Sequence, residues 1–161
     1  MQEIKEIANI LREIFHQKVY EKLKKEKIDD RNLDSRVLKL LINLDFSERK
    51  YKIRFQEPKD KIYKAESGRA PYDLLCTGEI SQSKFSIFIN NKFGNLRSNA
   101  RNDITTYNNL IRLYLGIETH RLSSKVTLDR KVIYNRVSGK QIVSYGVFVL
   151  DKQKQGSNFF C

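Results

Sequence analysis

Two short stretches, Pro71-Tyr-Asp-Leu-Leu-Cys-Thr77 and Phe85-Ser-Ile-Phe-Ile-Asn-Asn-Lys92, decide how this chain is read. The second is largely apolar as far as Ile89 and then turns abruptly polar. Side chains alternate across a strand, so Phe88, Asn90 and Lys92 share one face while Ile87, Ile89 and Asn91 share the other. An amide and an ammonium therefore project together from an otherwise apolar strand. The first stretch predicts a strand over 72–77. Antiparallel pairing through a loop at 78–84 would bring Asp73 beside Asn90 and Lys92. Such a group suits a hydrated divalent cation. Magnesium prefers hard oxygen ligands, keeps several waters and usually takes only one or two protein carboxylates.

The order Pro-Tyr-Asp, a hairpin, then an apolar strand ending Asn-x-Lys resembles the active-site signature of the PD-(D/E)xK nuclease superfamily, especially the type II restriction endonucleases. The resemblance covers about residues 62–116 when the following helix is included. Tyr72 separates Pro71 from Asp73, and Asn90 stands where an Asp or Glu is usual. The resemblance implies Asp73 as the main Mg²⁺ ligand, Asn90 as a second ligand through its carbonyl oxygen, and Lys92 as the catalytic lysine. In that reading the cation acidifies a water and neutralises charge on the scissile phosphate. Lys92 orients the water and stabilises the charge added in the phosphorane. Glu66 or Glu79 would supply the charge missing at position 90. Glu66 is favoured because it precedes Asp73 on the approach to the same strand, whereas Glu79 sits by the turn. Glu6, Glu13 and Glu21 are helix-borne acids among which the sequence does not choose. Each residue also has a plainer role: Asp73 ending a turn after Pro71, Lys92 solvated at a strand end, and Asn90-Asn91 opening a loop before Gly94.

The polar, basic connection after Lys92 runs into a helix over 102–115, with Ile104, Tyr107, Leu110, Ile111 and Tyr114 as its buried stripe and Gly116 just past its end. Asn95, Arg97, Asn99 and Arg101 combine phosphate-binding cations with amides able to read adenine edges, which marks them as DNA-contact candidates. An ordinary polar loop with a helix cap is the equal alternative.

Composition bounds the ligand class. The 161 residues suit one domain, 1–161, with N-terminal helices over 1–46 and a sheet core over 50–161. With 40% hydrophobic and 31% charged residues the chain reads as globular. A formal net charge of +12 predicts salt-dependent attraction to polyanions, with nucleic acid foremost. Cys76 and Cys161 form no CxxC pattern, so a structural zinc is not expected, and Cys76 reads as a small buried hydrophobe. His16 and His120 are isolated and do not read as general bases. The chain shows neither a signal-peptide pattern nor a bilayer-spanning apolar run, which leads to the expectation of a cytoplasmic protein without a membrane partner.

Elsewhere the periodicities are plain. Ile4, Ile7, Leu11, Ile14, Phe15, Val19 and Leu23 give one apolar stripe over 3–26, opposite a face rich in Lys and Glu. Lys22, Lys24, Lys25 and Lys27 at its end read first as a solvated face. A second helix is expected after Asp34 as N-cap, burying Val37, Leu38, Leu41 and Leu44. Tyr51, Ile53 and Phe55 alternate with Lys50, Lys52 and Arg54, a half-buried strand with a cationic outer face. Segments 126–137 and 141–150, joined by Ser138-Gly139, read as a β-hairpin. The fold class is therefore α/β in the α+β sense: N-terminal helices, a central mixed sheet, a helix after the Asn-x-Lys strand and a C-terminal hairpin. This order suits a restriction-endonuclease-like core. The function expected is that of a Mg²⁺-dependent endodeoxyribonuclease of the type II restriction kind. Double-stranded DNA is the partner the resemblance implies, and a homodimer on a palindromic site is compatible with it. The alternative is a non-catalytic basic protein that binds DNA or RNA.

Overall fold

Ile7, Leu11, Phe15, Val19 and Leu23 recur every four residues, and that spacing shapes the first helix. Each four-residue step overshoots an α-helical turn by about 40°, so the stripe would drift around a regular helix. In the computed structural model, which describes residues 2–44, 52–57, 63–65, 72–94, 126–128, 141–151 and 156–160, the helix adjusts. α1 (Gln2–Ile14) passes into a π-helical segment, Phe15–Tyr20, and then into the short α2 (Glu21–Leu23). The wider i→i+5 turn rewinds the stripe, and all five residues are buried.

α3 (Leu33–Ile42) starts earlier than expected. Its N-cap position is Asn32, not Asp34. Asp29 is the cause: its Oδ1 accepts the N–H groups of Arg31 at 2.8 Å and Asn32 at 3.0 Å, closing a turn that launches the helix from Asn32. Asp34 is thereby carried into the first helical turn, where the dipole favours an acid. Leu33, Val37 and Leu41 are buried, while Leu38 and Leu44 are partly so. The Arg36 guanidinium, bonded to both carboxylate oxygens of Glu26, ties α3 to the segment after α2.

The strands are β1 (Arg54–Gln56), β2 (Tyr63–Ala65), β3 (Leu74–Ile80), β4 (Ser83–Gly94), β5 (Val126–Leu128), β6 (Gln141–Asp151) and β7 (Ser157–Phe160). Five form one sheet in the order β1-β3-β4-β6-β7, and β2 pairs with β5 in a second. β4 runs parallel to β6, and every other pairing is antiparallel, so the main sheet is mixed as expected. One face packs under the helices through Phe55, Leu74, Cys76, Phe85, Ile87, Ile89, Phe148, Leu150 and Phe159. Phe15 anchors this layer, stacked on Phe159 at 4.7 Å and edge-on to Phe55 at 6.2 Å. Gly146 lies under the Phe159 ring, where a Cβ would come within 2.5 Å of it. The other face buries Tyr72, Leu75, Phe88, Val147 and Val149.

Two local expectations are corrected. The β3–β4 connection is not a loop over 78–84, because Gly78, Glu79 and Ile80 continue the ladder opposite Phe85, Lys84 and Ser83. The turn is the pair Ser81-Gln82, both with positive φ, 47° and 66°, as a tight hairpin of the right twist requires. β6 pairs antiparallel with β7 over Val147–Leu150, and residues 129–137 of the expected hairpin lie outside the described residues. Val126–Leu128 pairs with β2, and β6 takes its other neighbour from β4. The helix expected over 102–115 lies outside the described residues. Among those residues, no helix is long and apolar enough to cross a membrane.

Candidate active site

The site is built where β3 begins and β4 ends. Tyr72 is buried, with its ring edge-on to Phe88 at 4.9 Å, and this contact fixes the path of the chain into β3. Asp73 follows, one residue ahead of the strand. Its N–H donates to the Ile89 carbonyl at 2.9 Å, although Leu74 is already the register partner of Ile89. Two residues thus stand opposite one, the arrangement of a β-bulge, which re-aims a side chain out of the regular alternation. The re-aimed carboxylate reaches β4: Oδ2 of Asp73 accepts the Asn91 N–H at 2.8 Å. The Asp73 carboxylate is therefore fastened to the backbone between Asn90 and Lys92.

On β4 itself the alternation holds. Asn90 and Lys92, both half-buried, follow Phe88 on the face away from the helices. In the parallel register Asn90 neighbours Val147 and Lys92 neighbours Val149, so both polar groups rise from an apolar floor. Asn91 points the other way, toward α3. It is 8% exposed, and its Oδ1 is buried without a hydrogen-bond partner. Its side-chain amide bonds the Asp34 carboxylate. The Asp34 carboxyl is held above its ordinary range, chiefly because packing strips water from it. The Asn91 hydrogen bond and the charge of Lys92 pull in the opposite direction.

Asp34 and Asn91 are the residues that sequence reasoning missed. Asp34 read as a cap and Asn91 as the idle member of an Asn pair. The available signal was the parity of β4, which turns a polar Asn91 toward the helix layer, where a buried amide needs a partner. Of the three helix acids considered, Glu13 accepts a bond from Gln17, and Glu21 pairs with Lys24 and His16, all local contacts on the helix surface. Glu6 lies on α1. Asp34 is the helix acid linked to Asn91.

Glu79 lies on β3 opposite Lys84, at the hairpin end, and its carboxylate is 3.9 Å from Lys52. That position is remote from Asp73. Glu66, Asn95, Arg97, Asn99 and Arg101 lie outside the described residues. Among those described, no group of three or more His, Cys, Asp and Glu side chains is gathered to hold a metal. A cation at this site would draw on Asp73 and the Asn90 carbonyl oxygen, with the remainder from water and substrate. Such a sparse, all-oxygen set fits magnesium and does not fit zinc.

No family model and no solved structure matches the chain. Among curated proteins it is similar to the type II restriction enzyme MjaIV of Methanocaldococcus jannaschii. The two are 56% identical over 159 residues, 98% of this chain and 64% of that protein. The chain thus spans just under two thirds of its relative's length.

Proposed function

We propose that this chain carries the hydrolytic centre of a Mg²⁺-dependent endodeoxyribonuclease of the type II restriction kind, acting on a short specific site in double-stranded DNA. The observation that carries the reading is the Asp73 carboxylate bonded to the Asn91 N–H beside Asn90 and Lys92. The 56% identity to a type II restriction enzyme supports it, as does the net charge of +12 for a polyanionic substrate.

Asp73 and the Asn90 carbonyl oxygen would hold the cation. When bound, it supplies an acidified water and neutralises charge on the scissile phosphate. The protein's own groups do the rest. The Asn91 N–H fixes the orientation of the Asp73 carboxylate through a charge-assisted bond. The Lys92 ammonium orients the attacking water and stabilises the negative charge that grows on the phosphoryl oxygens as the P–O bond forms. The apolar floor of Val147, Val149 and Phe88 excludes water from one side and strengthens these interactions. A homodimer on a palindromic site and a cytoplasmic location belong to the same proposal.

A plasmid digest tests it. Discrete fragments with Mg²⁺ that disappear with EDTA, and with Asp73→Ala, are expected. Smearing would indicate a nonspecific nuclease. Retention of DNA without cutting would replace the proposal with a basic binding protein whose metal site has decayed at Asn90.

A further inference from the structure

The cationic face of β1 has a counterpart across the hairpin. Lys52, Arg54, Thr77, Gly78, Glu79, Lys84, Phe85 and Ser86 surround an open groove of about 340 Å³ at the turn end of the sheet. Register partners share a face, and here Arg54 stands opposite Thr77, Thr77 opposite Ser86, and Glu79 opposite Lys84. The even positions of β4 continue that face through Phe88 to Asn90 and Lys92. Three cations thus lie on the face that carries the candidate site. Lys52, Arg54 and Lys84 are all exposed. Glu79 offsets one charge and lies within 3.9 Å of the Lys52 ammonium. Lys52 itself is held at φ 44°, a left-handed backbone that is costly for a lysine and that recurs where a side chain must be presented to a ligand.

We propose that this groove binds the phosphate backbone of the DNA flanking the cleaved site, which rests on the nuclease reading above. The spacing sets the distance. Lys84 and Lys92 are eight residues apart on β4, about 27 Å at the rise of an extended strand. Duplex DNA rises by about 3.4 Å per base pair, so a duplex aligned with β4 brings the groove about eight base pairs from the scissile phosphate. Phe88 and Leu75, between the two, are buried, so protein covers that stretch, and the duplex passes over the covered stretch and meets the cations beyond it. Threonine and serine hydroxyls beside Arg54 and Lys84 add neutral donors to phosphate oxygens. Contacts of this kind position a duplex and carry no sequence information.

The test is duplex binding in EDTA, where hydrolysis does not intervene, comparing the full chain with the Lys52→Ala/Arg54→Ala/Lys84→Ala variant. All three side chains are exposed, and thermal melting checks that the variant is folded. The slope of log affinity against log salt should fall by about 2 to 3 in the variant, equally for cognate and unrelated duplexes. Shortening the flank below about six base pairs should weaken the unmodified chain and leave the variant unchanged. The Lys52→Arg/Lys84→Arg variant should keep the original slope. An unaltered slope in the alanine variant overturns the groove, as does a loss confined to RNA, or equal sensitivity of both proteins to flank length. Cutting with an unaltered slope leaves the nuclease reading standing alone. A slope that depends on the three cations in a chain that never cuts leaves the groove and removes the nuclease.

Discussion

The two faces of β4 end differently. Toward the helices, Phe85, Ile87 and Ile89 are sealed in hydrocarbon, and the run closes on Asn91, buried and bonded to Asp34. Away from them, Ser86 and Phe88 lead to Asn90 and Lys92, both half-buried, which flank the Asn91 N–H that the Asp73 carboxylate accepts. Residues one step apart therefore have opposite duties. One face fixes the strand, and the other presents groups that can meet a phosphate. The link between them is the Asn91 backbone, whose N–H holds Asp73 while its side chain is anchored to α3.

The largest expected effect is on the supporting face. Ile87 is fully buried among the helix-facing residues, so Ile87→Ala should cost about 2–5 kcal/mol of stability. Urea unfolding would measure it. Cleavage per folded molecule should stay near normal, and a selective loss of cleavage with stability intact would break the division between the faces. Next come the paired changes Asn90→Asp and Asn91→Asp, which add the same charge to opposite faces. Asn90→Asp should lower the Mg²⁺ concentration for half-maximal cleavage by about tenfold, equivalent to about 1.4 kcal/mol. Asn91→Asp should instead destabilise the fold by about 1–3 kcal/mol, because it buries a carboxylate against Asp34. Equal metal responses from both variants would contradict the alternation.

How much was legible in the sequence follows from the range of the forces involved. The alternation of Ile87, Ile89 and Phe88 is a local pattern, and it predicted β4 and its antiparallel partner, whereas the mixed sheet came from the element order and the family resemblance. The four-residue stripe from Ile7 to Leu23 predicted a helix but hid the π segment, since only packing against the sheet decides whether a drifting stripe is rewound or left exposed. The Ser81-Gln82 turn was obscured by Gly78, a residue that favours turns but here sits in a strand whose neighbours, Glu79 and Ile80, find ladder partners. The bulge at Asp73 arises between β3 and β4, the Asp34 to Asn91 bond needs α3 docked on β4, and no spacing within a single segment encodes either.

Smaller effects sharpen the picture at the far end of the hairpin and at α3. Gln82→Gly should raise stability by about 1 kcal/mol, because φ 66° is strained for glutamine and free for glycine. A shift in the thermal midpoint would read this out, and a fall would show that the Gln82 side chain outweighs its backbone. Asp34→Asn addresses the pH dependence. The folded carboxyl titrates above its ordinary 3.8, so in the window just above that value the folded state keeps a proton that the unfolded chain has released. Stability contributed by this group therefore falls as pH rises through the window. Asp34→Asn should flatten that decline in urea midpoints, and an unchanged slope would remove Asp34 as its source.

The most direct test is single-turnover cleavage of duplex DNA by Lys92→Ala, with melting temperature recorded on the same preparation. A loss of about 10²–10³ in rate at an unchanged melting temperature is predicted for the removal of a group that stabilises developing phosphoryl charge. Cleavage at the unmodified rate would contradict the assignment of hydrolysis to the Asp73, Asn90 and Lys92 end of the sheet.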